Sequence, residues 1–418
     1  MRPDLDPSRW LREETYAATR LPVEQASTLI PDAYRSPAFH DLERETVWAG
    51  GWVAVGHVEQ VRSTGDTLVG TVADQPIVVT RTSSGELRGF HNVCRHRAAR
   101  LVDQDCQLRR FRCRYHSWTY ALDGRLLGAP LFEGSDIPVD QQAMFDTDHV
   151  AGFDPGEMGL LEVRVDQWAH LVFANLDGTA VPLHEWLGDL PERLAGYRLD
   201  EAVIQGRQPY TVRANWKLVA ENFMEYYHLP WVHPELAKVS RIDDHYRFQG
   251  PGMYTGMCTT PVTQDDDSGW SSLRPVPGLS GDDAVSGRFV FLFPSVALAV
   301  LPNHVFTIML RPRGHDLTLE ETSLALHADT VADPGVQVAL GRLQSFWHHV
   351  NGEDIEVVEA VQAGIANRAY TGGRMCYRFE EPLHRFHNMV ADRMVGRTRI
   401  PPGDDREDRP LFAREVST

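Results

Sequence analysis

At 418 residues, with 42% apolar and 24% charged side chains, the chain has the composition of a globular protein with room for two or three domains. A formal net charge of -17 argues against general nucleic-acid binding, and five cysteines are too few, and odd in number, for a disulfide scaffold. The longest nearly apolar run, Phe289 to Pro302, is too short to span a membrane, and "MRPDLDPSRWLREET" has no signal-peptide core, so no membrane partner and a cytoplasmic location are expected.

Residues 1–45 read as a polar, helical approach segment. From Trp48 to about Val165 the signals are short strands and turns: "TLVGTV" and "PIVVTR" are β-rich, "SSGE" is a turn, and "WTYALDGRLLGA" is a hairpin with Asp123-Gly124 as a two-residue turn. This part predicts a small all-β domain over 46–165. The remainder, 166–418, is mixed. "NWKLVAENFMEYYH" reads as a helix, and "RFVFLFP", "SVALAVLP", "VFTIMLRPR" and "LTLEETSLALHAD" read as antiparallel strands. Residues 335–368 carry a helical apolar stripe, and the Asp-, Gly-, Ser- and Pro-rich stretch 263–287 reads as a loop. The fold class is therefore α+β, an all-β domain followed by an antiparallel sheet with a long C-terminal helix.

Within the β region stands "CRHRAARLVDQDCQLRRFRCRYH". Cys94 and His96 form one pair, and Cys113 and His116 the other. Zinc fingers usually segregate two Cys from two His, whereas mixed pairs suit a binuclear cluster with two thiolates on one iron and two imidazoles on the other. The spacing resembles a Rieske 2Fe-2S motif, with Cys94 and Cys113 on one iron and His96 and His116 on the other. Cys106 has no place in it and reads as a packed small thiol. Seven arginines (95, 97, 100, 109, 110, 112 and 114) crowd the motif against Asp103 and Asp105. That basic patch would steer an acidic redox partner, or pack against neighbouring protein.

Electron transfer alone needs little beyond the β domain, so the second half is the place to seek a catalytic metal. In "ENFMEYYHLPWVH", Glu225 and His228 share a helical face, and a break at Pro230 would bring His233 round to His228. Two imidazoles still lack a carboxylate. Asp354 lies inside the apolar stripe of the long helix, a ligand or a buried ion pair, whereas Glu353 and Glu356 should point to solvent.

Taken together these motifs resemble the α subunit of a Rieske non-heme iron oxygenase, over most of the chain. The resemblance implies a Rieske domain followed by a helix-grip catalytic domain, with 1–45 packed on the latter. It implies His228, His233 and Asp354 as ligands of a mononuclear Fe(II) that uses O2. Glu225 would be the bridging acid, bonded to His228 and, across a subunit interface, to His116. Asp354 and Glu359 match the family's late-helix pair, and Asn215-Trp216 its "NW". Electrons would come from NAD(P)H through a reductase or ferredoxin, and the assembly would be a homotrimer. Glu at 225, rather than Asp, leans towards the choline, carnitine and betaine oxygenases and N-demethylases. The implied reaction is monooxygenation or oxidative demethylation of a small molecule, with aromatic ring dihydroxylation as the alternative and a pure electron carrier as a third reading. Phe223, Tyr227, Trp231, Phe289, Phe291, Phe306 and Trp347 are candidate pocket aromatics, suited to a quaternary ammonium or a flat ring.

Overall fold

The computed structural model describes residues 6–132, 152–234, 236–240, 242, 245–259 and 273–398. The chain divides into two compact units, Trp48–Ala180 on the one hand and Met1–Val47 with Val181–Thr418 on the other.

The Trp48–Ala180 unit is all-β. Its strands are β1 (Val53–His57), β2 (Asp66–Val72), β3 (Gln75–Arg81), β4 (Leu87–His91), β5 (Cys106–Gln107), β6 (Phe111–Arg112), β7 (Thr119–Tyr120), β8 (Leu126–Gly128), β9 (Glu162–Trp168) and β10 (Leu171–Asn175). They form an antiparallel sheet of order β1-β10-β9-β4-β3-β2-β5 and a small sheet β6-β7-β8. The expected boundary at 165 falls inside β9. The unit runs on to Ala180 because β10 pairs with both β9 and β1 and so completes the larger sheet. The hairpin at Asp123-Gly124 has a longer turn than expected. Ala121 N–H donates to Arg125 O and Gly124 N–H to Ala121 O, leaving three residues at the tip, with Gly124 at φ +87°. That is a turn followed by a left-handed residue, which glycine adopts without steric penalty.

The other unit carries a second antiparallel sheet. Its strands are β11 (Ala202–Val212), β12 (His245–Arg247), β13 (Tyr254–Thr259), β14 (Gly287–Leu292), β15 (Val296–Val300), β16 (His304–Gly314) and β17 (Leu317–His327), in the order β11-β17-β16-β15-β14-β13-β12. Strands β14 and β15 are almost wholly buried, so they read as continuous apolar runs rather than alternating ones. Five helices matter here: α1 (Pro37–Glu43), α2 (Trp216–Met224), α3 (Leu229–Val232), α4 (Val336–Ile365) and α5 (Glu381–Met394). Of the expected loop 263–287, residues 263–272 lie outside the described ones, and Gly281–Ala284 form a short 3-10 turn before β14.

The N-terminal segment packs onto this unit through polar bonds buried in its core. Lys217 Nζ, on α2, donates to both carboxylate oxygens of Glu43, on α1, at 2.7 and 2.9 Å, with both side chains fully buried. Tyr34 Oη donates to Glu221 of α2 at 2.6 Å. Asn215 caps α2 by accepting from Lys217 N–H at 3.1 Å. Helix α4 holds the same corner from the other side: Glu359 accepts from Arg213 N–H and Gln362 from Asn215 N–H, each at 2.9 Å. Among the described residues no helix is long and apolar enough to cross a membrane.

Candidate metal centres

Two loops carry the Cys–His pairs, Cys94–Ala99 after β4 and Cys113–Trp118 after β6, and they are built alike. In the first, Cys94 N–H donates to Ala99 O and Ala98 N–H to Cys94 O. In the second, Cys113 N–H donates to Trp118 O and Ser117 N–H to Cys113 O. The fifth residue of each, Ala98 (φ +57°) and Ser117 (φ +61°), is left-handed, an uncommon conformation for a side chain with a Cβ. Each loop thus turns a buried thiol inwards and an imidazole outwards: Cys94 and Cys113 are buried, His96 is half-buried and His116 exposed. Tyr120 Oη accepts from Arg95 N–H and lies 3.4 Å from Cys94 Sγ.

These residues fit a two-iron cluster. The two imidazole rings neighbour each other, centroids 4.6 Å apart. The Nδ1 atom of His96 is buried with no hydrogen-bond partner, an uncommon state for a ring nitrogen unless a metal takes it. Burial first, then the charges of His116 and Arg97, lower the pKa of His96 and favour the neutral ligand form. A single tetrahedral zinc would draw all four donors to within about 4 Å of one another. Among the described residues the set whose ligand atoms converge, to within 4.8 Å, is a different one, described next. Cys106, expected to be packed, is exposed on β5.

That set is His228, His233 and Asp354, whose ligand atoms all lie within 4.8 Å of one another. Asp354 Oδ1 is 2.9 Å from His233 Nε2 and 3.6 Å from His228 Nε2, so both imidazoles turn the same nitrogen to one carboxylate. The remaining nitrogens are held from behind. His228 Nδ1 bonds Glu225 Oε1, and His233 Nδ1 bonds Glu353 Oε2 at 2.8 Å. Such carboxylate partners fix the ring orientation of a metal-binding histidine. Burial opposes protonation of His233, but Asp354 and Glu353 outweigh it and raise its pKa: the anionic surroundings draw in a proton where a divalent cation fits.

Three expectations need correction. Glu225 and His228 do not share a helical face, because α2 ends at Met224 and Glu225 is extended. Glu225 reaches His228 by folding back across a turn, its Oε2 accepting from the N–H groups of Tyr227 and His228. Its second oxygen is therefore already engaged. The chain break lies at 225–228 rather than at Pro230, which sits in the first turn of α3, where a missing N–H costs nothing. Glu353 does not point to solvent, since it is the partner of His233.

The aromatic candidates do not form one box. Trp231 and Tyr227 are 79% and 47% exposed, Phe291 is in the core against Phe386, and Phe223 faces Phe289. Phe306 and Trp347 stack at 4.4 Å and line a cavity of about 340 Å³. Of the seven arginines, Arg95 bonds Gly159 O, Arg97 lies over the Tyr115 ring, Arg112 bonds Ser117 and Arg114 pairs with Asp103. Arg100, Arg109 and Arg110 are exposed.

Residues 51–139 match the Rieske [2Fe-2S] domain, and residues 199–396 match the catalytic domain of the ring-hydroxylating alpha subunit. The glycine betaine monooxygenase oxygenase subunit of Chromohalobacter salexigens is 29% identical, over 94% of this chain and 91% of that protein. The chloroplastic choline monooxygenase of Arabidopsis thaliana is 27% identical, over 89% of this chain and 84% of that protein. A quaternary ammonium Rieske monooxygenase solved with L-carnitine shares the fold, with a TM-score of 0.73 at 23% identity, covering 92% of this chain and 99% of that one. A naphthalene 1,2-dioxygenase shares it too, with a TM-score of 0.71 at 17% identity over 92% and 95% of the two chains.

Proposed function

Because this chain belongs to the Rieske non-heme iron oxygenases, with a Rieske domain joined to a ring-hydroxylating catalytic domain, we propose that it oxidatively removes a methyl group from a small quaternary-ammonium compound. The observation that carries the reading is the likeness to a glycine betaine monooxygenase over nearly the whole of both chains, together with the convergence of His228, His233 and Asp354.

In this reading Cys94, His96, Cys113 and His116 hold the cluster, and His228, His233 and Asp354 hold one Fe(II). When bound, these groups supply electrons and activate O2 at the open positions that two histidines and a carboxylate leave. The protein's own part is positional. Glu225 and Glu353 lock the two imidazoles by their outer nitrogens. Through the lone pair that His228 leaves on Oε1, Glu225 would also accept from His116 of a neighbouring copy in a homotrimer and link the two centres, while Arg100, Arg109 and Arg110 steer an acidic reductase or ferredoxin in the cytoplasm. For a trimethylammonium substrate the balance is one O2, two electrons and two protons in. One N–CH3 carbon leaves as formaldehyde, the amine keeps its electron pair, and the second oxygen leaves as water.

The test is a panel of glycine betaine, choline, carnitine and naphthalene, with a surrogate reductase, reading O2 uptake, formaldehyde and product mass. Formaldehyde matched to O2 uptake with one of the first three supports the proposal. A cis-diol from naphthalene, with the cationic compounds inert, would replace it by ring dihydroxylation.

A further inference from the structure

Resting on the quaternary-ammonium reading above, we propose that Glu320 is the anionic counter-ion that selects a cationic substrate, at the inner end of an aromatic cavity leading towards His228, His233 and Asp354.

The cavity of about 340 Å³ lies between α4 and strands β11, β16 and β17, and is lined among others by Tyr210, Phe306, Thr322, Leu324, Gln344 and Trp347. That is within the range of small-molecule sites. Two elements lead inwards from it. On β17, Leu324 and Thr322 line the cavity, and Glu320 is the next residue on that face, since side chains alternate along a strand. On α4, Gln344 and Trp347 line it, and Asn351 and Asp354 follow on the same face at helical spacing. The two elements meet where Asn351 Nδ2 donates to Glu320 Oε2 at 2.9 Å. Both therefore reach the Asn351–Glu320 pair after the cavity, and Asp354 comes one turn later.

Glu320 is 3% exposed, and Asn351 is its hydrogen-bond partner among the described residues, where no Lys, Arg or His pairs with it. A carboxylate buried with one neutral partner is costly unless a positive charge joins it. Burial pushes Glu320 up to about 7; the Asn351 bond pulls it down and the Asp354 charge adds to the rise. A quaternary ammonium has no N–H to donate, so only opposite charge and aromatic faces can recognise it. The stacked pair Phe306–Trp347 and the ring of Tyr210 line the cavity, and Glu320 offers the charge without requiring a hydrogen bond in return.

The test is anaerobic titration calorimetry on the holoenzyme with choline and with its neutral carbon isostere, 3,3-dimethylbutan-1-ol. The wild-type protein should bind choline more tightly than the isostere. Glu320→Gln should weaken choline about thirtyfold or more while leaving the isostere nearly unchanged, and Glu320→Asp should fall between. Gln344→Lys, at an exposed position on the cavity wall, should weaken choline alone, and it decides the matter if Glu320→Gln folds poorly. Wild-type-like choline binding by Glu320→Gln, equal loss of both ligands, or unchanged choline binding by Gln344→Lys would overturn the assignment. A wild-type protein that binds neither choline, glycine betaine nor carnitine has a different signature, and would remove the quaternary-ammonium reading itself.

Discussion

Replacing Lys217 by Met leaves the carboxylate of Glu43 fully buried, with the Trp216 indole N–H at 3.4 Å as its remaining partner. Within the intact pair, burial pushes Glu43 up and Lys217 down, each against the attraction of the other. Desolvation and attraction therefore nearly cancel, and the pair as a whole is worth little. Half of it is different: an uncompensated buried charge costs about 3–5 kcal/mol. For a unit of this size that corresponds to a fall of roughly 10 °C in Tm. Glu43→Leu combined with Lys217→Met should recover most of the loss. Because the pair holds α1 to α2, and α2 ends at Met224, next to Glu225, Lys217→Met should also lower mononuclear iron content while the Rieske EPR signal stays. The assay is differential scanning calorimetry with iron analysis on both single variants and the double one. A Lys217→Met loss below about 1 kcal/mol, or a double variant as unstable as the sum of the singles, would refute the reasoning.

Asp354→Ala should lose the mononuclear iron and keep the cluster, whereas Glu353→Gln should keep both but bind the mononuclear iron about ten- to a hundredfold more weakly, checked by chelator competition. Glu225→Gln should retain both metals yet leave the cluster reduced when O2 and substrate are mixed in; reoxidation at the wild-type rate would rule out Glu225 as the link. Charge reversal at Arg100, Arg109 and Arg110 should slow reduction by the protein donor and weaken its salt dependence, while dithionite reduction is unchanged. In iron-depleted protein Glu320 holds its proton to about 7 when folded but to about 4.5 when unfolded. Between those values the native state binds more protons, so stability falls as pH rises, by on the order of 3 kcal/mol across the window. Glu320→Gln should flatten that fall, and a wild-type-like pH profile of Tm in the variant would count against it.

The cluster motif was legible because each ligand pair is local: its spacing is set by one loop, and nothing distant need be known. Strands β14 and β15 were legible because both faces are covered and the runs are plainly apolar. Strand β11 was not, because Arg207, Gln208 and Pro209 interrupt it and it lies at the edge of its sheet. Helix α5 was missed because it buries Arg385, His387 and Asp392 on faces that periodicity reads as polar. Glu353 was misjudged for a different reason. It stands about 100° from Asp354 on the helix, which suggests that the two have separate surroundings. An imidazole is wide enough to be gripped at both edges, and His233 lies between the two carboxylates. Glu320 and Asn351 meet only once α4 is laid across β17, and no local pattern announces that.

Among the described residues, the two loops around Cys94 and Cys113 leave the cluster site exposed at one end, that of His116. Among these residues both thiols are inside and His116 is outside, so the imidazole end is the exposed way in and out for charge. Whatever delivers an electron and whatever consumes it must queue for the same opening. Turnover then depends on how quickly the donor vacates, and a donor that binds too well becomes an inhibitor. Raising donor concentration should first speed the enzyme and then slow it, with added salt relieving the slow regime.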